Sequence, residues 1–192
     1  MTAPLPDKFP ALVARAAREF GPSEAISDGD VSYSFAEVAD LIDTASGALV
    51  ASGVQQGDRV AVWAPNSWEW VIAAMAVFSS GAVLVPVNTR FKGREAAFVL
   101  NKSEVKLLFT VVGFLENDYV ADLQDSGETI DSLETIVVLR GDTPDGTVSF
   151  AEFLQRSTDE SLKEMRVRSA QVVGSDLGLI MFTSGTTGAP KS

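Results

Sequence analysis

The chain contains neither cysteine nor histidine. The first absence excludes disulfides, iron–sulfur clusters, thiolate zinc sites and thiol nucleophiles. The second excludes imidazole acid–base chemistry, histidine–metal sites and a Ser-His-Asp triad within these residues. Chemistry is left to carboxylates, lysines, hydroxyls, backbone amides or a bound ion. Basic residues are also scarce: 15 Lys and Arg face 26 Asp and Glu, for a net charge of -11. That balance argues against a nucleic-acid surface and against docking on anionic lipid, and favours solubility. No uninterrupted apolar run follows the N-terminus, so a secretory signal is not expected. The most apolar stretch, 70–87, is broken by Ser79, Ser80 and Gly81 and reaches Pro86 near its end. It reads as a buried helix, a turn and a buried strand rather than a membrane span, and a cytoplasmic protein is expected.

What is present is enough for a core, with 46% hydrophobic residues in 192. Leu12, Val13, Ala16 and Ala17 share one side of a helix predicted over 10–20. Gly29 and Asp30 sit between two short apolar alternations, as in a hairpin. Ser34 and Glu37 have capping-box spacing before a helix that should end at Gly53. RVAVWA, AVLVPV, VKLLFTV, LETIVVL and LGLIMF are compact apolar runs. Helices are predicted between them, opened by Asn66 or Ser67, over GREAAFVLNKS, over FLENDYVADLQDSG, and as a short one capped by Ser149 and Glu152. The stretch 156–175 is polar and reads as a surface connection. Strands that are continuous apolar runs, alternating with helices, predict an α/β fold: a mostly parallel sheet with helices on both faces.

Three further groups have a plain structural reading. Trp63, Trp68 and Trp70 could stack on an adenine, but helix–sheet packing explains them better. Glu116, Asp118, Asp122 and Asp125 read as a solvated acidic helix face. Asn88, Thr89 and Arg90 follow a strand at its carboxyl end and could border a ligand crevice, or simply form an Asn-containing turn.

The last apolar run leads directly into TSGTTGAPKS, Thr183 to Ser192. Glycines after a buried strand let backbone amides approach an anion closely, hydroxyls add donors, and a lysine adds charge. The Walker phosphate loop does not fit, because Pro190 stands where its second glycine belongs and has no N–H to donate. On residues alone, a ligand-free Gly/Ser/Thr turn is an open alternative.

The segment MFTSGTTGAPKS resembles the phosphate-binding signature of the AMP-forming acyl-CoA synthetases and their adenylating relatives. GDRVAVWAPNSWEW, GAVLVPVN and VSYSFAEVAD are similar to upstream segments of the same family. The likeness runs from about Phe9 to Lys191, and Ser192 departs from the glycine common there. It implies that residues 1–192 are the first part of the large N-terminal AMP-binding domain, with the C-terminal lid domain beyond them. It implies ATP-dependent activation of a carboxylic acid, fatty or otherwise aliphatic, to acyl-AMP and then to a CoA thioester. ATP, Mg²⁺ and CoA are the implied cofactors and co-substrates. Thr183, Ser184, Gly185, Thr186, Thr187, Gly188 and Lys191 would bind the ATP phosphates, with Pro190 as a stiff hinge. No catalytic residue and no metal ligand is expected within this stretch, so it should be inactive alone, and its open sheet edge should favour association. The complete protein could be a homodimer. The alternatives are an adenylation domain serving a carrier protein, and a non-catalytic nucleotide-binding or interaction module.

Overall fold

The computed structural model describes residues 7–183. Helix α1 (Phe9–Phe20) starts the chain, followed by a hairpin of β1 (Glu24–Asp28) and β2 (Val31–Ser34). Helix α2 (Phe35–Ala51) leads to β3 (Arg59–Trp63), α3 (Trp68–Ser79), β4 (Val83–Pro86) and α4 (Gly93–Lys102). Next come β5 (Val105–Phe114), β6 (Asn117–Asp118), α5 (Tyr119–Gln124) and β7 (Thr135–Arg140). The described part closes with β8 (Val148–Ser149), α6 (Phe150–Leu154) and α7 (Asp159–Gln171). No described helix is long and apolar enough to cross a membrane.

The main sheet runs β4-β3-β5-β7-β8, all parallel, and β6 adds an antiparallel pair to β5. The helices fall into two layers. In one, α2 packs on α3, α6 and α7, and α6 packs on β7; in the other, α4 and α5 pack on each other and on β5. Covered on both faces, the central strands must be apolar at every position, and Val60, Ala61, Val62 and Trp63 are all fully buried. The predicted α/β class with a mostly parallel sheet is what the structure has.

Local signals worked where the chemistry is short-range. Ser34 and Glu37 form a reciprocal capping box on α2, and Ser149 and Glu152 form one on α6. Ser67, rather than Asn66, caps α3 by accepting the Trp70 amide at 3.2 Å. Gly53 turns left-handed (φ +84°) just past α2, where Val54 donates back to the Leu49 carbonyl.

Four expectations need correction. The stretch 156–175 is no loose connection: α7 fills most of it, capped by Thr158, with Met165 and Arg168 buried. Arg168 donates to the Val54 carbonyl at 2.6 Å and to Gln55, and pairs with Glu164, so it bolts α7 to the entry of β3. The helix predicted from Phe114 is only α5, because Gly113, Leu115 and Glu116 all take positive φ and turn β5 back on β6. Its acidic residues therefore do not share one solvated face: Asp118 is the N-cap of α5 and Asp122 is half-buried. Helix α1 forms where expected, half-sunk, with Leu12 exposed and Phe9 stacked on Phe78 at 4.4 Å. Finally, LGLIMF forms no full strand among the described residues. It makes one parallel bridge, Leu179 with Leu84, through hydrogen bonds of 2.9 Å from Leu84 to Gly178 and from Ile180 to Leu84.

Gly93 opens α4 where a β-carbon would collide with the Asp122 carbonyl oxygen of α5. Replacing Gly93 with alanine should cost about 3 kcal/mol, because backbone rather than a flexible side chain blocks it. Gly53→Ala, left-handed but facing open space, should cost only about 1 kcal/mol. Urea denaturation midpoints of the two variants in the complete protein check this ordering.

Candidate functional site

In a parallel sheet the loops at the carboxyl ends of the strands can carry polar groups that the covered faces cannot. Strand β3 continues into α3 in one helix layer, and β4 continues into α4 in the other. The two connections therefore diverge beyond the carboxyl ends of β3 and β4, where Pro65, Asn66 and Ser67 lead into α3 and Asn88, Thr89 and Arg90 lead into α4. The strand order β4-β3-β5 puts the topological switch point between β3 and β5, so β3 borders it.

The turn at Asn88 is tightly held. The Asn88 side chain accepts the Arg90 amide at 3.0 Å, and the Asn88 carbonyl accepts the Phe91 amide at 3.0 Å. Trp63, at the end of β3, donates its indole N–H to the same carbonyl at 3.1 Å. Tyr119, the first residue of α5, donates its hydroxyl to the Thr89 carbonyl at 2.8 Å. The two rings stack on each other at 4.3 Å and 13°. Burial pushes the Tyr119 phenol above its ordinary value, and the nearby Asp122 carboxylate adds to the effect, so the hydroxyl keeps its proton and stays a donor.

The segment after α7 runs beside β4 on its outer edge. Ile180 and Phe182 turn toward the core, and Phe182 meets Phe98 of α4 edge-on at 6.5 Å. Leu179 and Met181 face outward. The offset that pairs Leu84 with Leu179 would, if unbroken, set Thr183 level with Asn88. Of the proposed phosphate-binding residues, Thr183 is described, exposed and four residues beyond the Leu179 bridge. Ser184, Gly185, Thr186, Thr187, Gly188 and Lys191 lie outside the described residues.

A second polar cluster ties this edge together. Arg140 ends β7 and donates to Glu69 in the first turn of α3 at 2.6 Å, while also pairing with Asp28 of the hairpin. Asp28 accepts the Trp68 amide as well. The Arg140 hydrogen bond, with the Trp68 amide next, holds the Asp28 carboxyl below its ordinary value. Glu69 is 5% exposed, and its Oε2 has no hydrogen-bond partner among the described residues. Trp68 itself packs between Tyr33 and Phe150, and Trp63 is wholly buried, so neither ring is open to stack on an adenine. No three acidic residues among those described converge on a point a metal could occupy.

Of the two readings of Asn88, Thr89 and Arg90, a crevice border or an Asn-containing turn, the structure shows the turn, at the carboxyl end of β4. Sequence reasoning missed Trp63 and Tyr119 as donors to that turn, and Arg140 as the link between hairpin, α3 and β7. The cavity of about 290 Å³ lined by Phe9, Phe78, Val172 and Leu177 lies at the opposite, amino end of β4.

A family model described as AMP-binding enzyme matches residues 13–192. A 3-[(3aS,4S,7aS)-7a-methyl-1,5-dioxo-octahydro-1H-inden-4-yl]propanoyl:CoA ligase of Rhodococcus jostii is 39% identical over 97% of this chain and 37% of its own length. A mitochondrial medium-chain acyl-CoA ligase of Homo sapiens is 30% identical over 84% of this chain and 28% of its own. Among solved structures, an anthranilate CoA ligase in complex with anthranoyl-AMP superposes with a TM-score of 0.82 at 24% identity, over 98% of this chain and 34% of that one. A Mycobacterium tuberculosis fatty acyl CoA synthetase gives 0.77 at 23% identity, over 96% of this chain and 33% of its own. The chain spans about a third of the length of these curated relatives.

The charged link yields a test. Asp28 has a folded pKa below its unfolded one, so its contribution is complete above the unfolded value and is lost as pH falls through the depressed one. Arg140→Met should destabilise the complete protein at pH 7 by about 2 kcal/mol, a buried-pair loss discounted because Arg140 is half exposed. It should also flatten the loss of stability below about pH 4. Adding Glu69→Gln should recover part of the neutral-pH loss. Urea unfolding at pH 7 and pH 3.5 measures each term.

Proposed function

Because the chain belongs to the family of AMP-binding enzymes, we propose that it forms the phosphate-gripping part of an AMP-forming acid–CoA ligase. The acid is aliphatic in this reading: the relatives named above are ligases of a propanoate side chain and of medium-chain acids. One observation carries the proposal. The segment after α7 runs parallel to β4 through the Leu179–Leu84 bridge, and this direction leads toward the carboxyl edge of the sheet, the edge on which α/β folds hold ligands.

The chemistry has two steps. The acid's carboxylate oxygen attacks the α-phosphorus of ATP, the bond to the β-phosphate oxygen breaks, and pyrophosphate leaves. The thiolate of CoA then attacks the acyl carbon, and AMP leaves with the bonding electrons. A weak nucleophile must approach a strongly anionic centre, so the protein's task is to position the triphosphate and absorb charge as pyrophosphate departs. Thr183, Ser184, Thr186 and Thr187 supply hydroxyl and amide donors in this reading. Gly185 and Gly188 let the backbone come close, and Lys191 brings a cation into a protein of net charge -11. Mg²⁺ enters with ATP as its counter-ion. A cytoplasmic enzyme that draws on ATP and CoA fits the same reading.

The test is ATP–pyrophosphate exchange by the complete protein with medium-chain and ring-bearing propanoic acids. Thr186→Ala and Lys191→Ala should each slow exchange about 100-fold, the scale of one lost charge-stabilising donor. Exchange at the parent rate in both variants would show that the loop does not hold the phosphates.

A further inference from the structure

Two aromatic side chains beneath the turn after β4 do more than fill space. Trp63 and Tyr119 are 0% and 2% exposed, and each carries a polar atom that must find a partner when buried. Both partners lie on one turn, and they are the consecutive carbonyls of Asn88 and Thr89. The stack between the rings means that neither donor can swing away alone. The Trp63 carbonyl is in turn caught by the buried Thr110 hydroxyl at 3.1 Å, which fixes the end of β3 to β5.

The consequence is a particular kind of grip. The donors take hold of the backbone from below, while the Asn88 and Arg90 side chains stay exposed above. The Asn88 side chain meanwhile closes the turn through the Arg90 amide. Among the described residues, the Arg90 side chain makes no hydrogen bond or ion pair, although acidic residues outnumber basic ones in this chain. A turn that only connected β4 to α4 would need no such support, since α4 is already anchored by Gly93 against α5.

We propose that the stacked Trp63–Tyr119 pair is a positioning device for the ligase reaction, setting the Asn88–Arg90 turn as a rigid rim of the substrate crevice. The inference rests on the function proposed above. Neither aromatic touches substrate. They act by holding the turn's polar side chains at one height and angle relative to the end of β4. Misplacement by about 1 Å at such a rim is enough to slow a bound reaction.

The decisive variant is Tyr119→Phe in the complete protein. It keeps the ring and the stack, and removes only the hydroxyl that holds Thr89. Amide hydrogen exchange at Arg90 and Phe91 should quicken about fivefold, the factor one neutral hydrogen bond carries, while Val60–Val62 amides stay unchanged. Over the same variant, kcat/KM for ATP–pyrophosphate exchange or for thioester formation should fall by a similar factor, with the thermal midpoint nearly constant. Trp63→Phe should act in the same direction, and the double variant should lose less than the product of the two, because one loosened turn is shared. Unchanged exchange at Arg90 and Phe91 overturns the proposal, as does quickened exchange with unaltered kinetics. If the parent protein forms no acyl-adenylate, the function proposed above fails instead, and amide exchange alone decides whether the pair holds the turn.

Discussion

Burial of the central strands on both faces is the constraint from which the rest of this structure follows. Strands β3 and β5 have helices above and below, so they cannot present a polar side chain to either face without a partner. Thr110 is the exception that shows the rule: it is fully buried, and its hydroxyl is used on the Trp63 carbonyl. Polar chemistry is therefore driven to the ends of the sheet. At the amino ends the arginines and lysines serve as bolts. Arg59 holds the Ser103 and Glu104 carbonyls, and Lys106 reaches Gly53 and Asp58. At the carboxyl ends the chain leaves the sheet in two directions, to α3 in one layer and to α4 and α5 in the other, and the connections leave space between them.

The order of strands explains why the connections part. The chain enters the sheet at β3, steps to β4 on one side, then crosses back over β3 to reach β5. Connections with one hand must pass on opposite faces when they run in opposite directions across a sheet. Helices α3 and α4 are thus forced into different layers, and their connections diverge without further cause. After α7 the chain returns to the far side of β4 and runs parallel to it, toward the same carboxyl edge.

Much of this was legible because the deciding signals are local. A run such as Val60 to Trp63 can only be a strand buried twice, and Ser34 with Glu37 can only be read at a helix start. What escaped was decided across the chain. Helix α7 is polar in sequence, and its hold on the fold comes from Arg168 reaching Val54, 114 residues away. A charged residue looks like solvent-facing surface until its distant carbonyl partner is seen. The short strand β8 owes its existence to β7 beside it, not to its own two residues. The turn at Gly113–Glu116 was hidden for a different reason: Leu115 and Glu116 adopt positive φ without being glycine, asparagine or aspartate.

The same asymmetry governs the candidate site. The glycine-rich loop stands out in the sequence, because glycine, hydroxyl and lysine side by side suit an anion. The support of the Asn88 turn does not stand out. Trp63 and Tyr119 each have a sufficient reason to be where they are, as apolar area beneath a helix layer. Only their N–H and O–H vectors, converging on consecutive carbonyls, distinguish support from filling. That distinction is invisible to composition and to periodicity alike, because it depends on pairs 25 and 30 residues apart. A ring that only filled the core could have been phenylalanine or leucine. An indole and a phenol must bury a donor, and in both cases the donor is turned upward, to the rim rather than into the helix layer beside it.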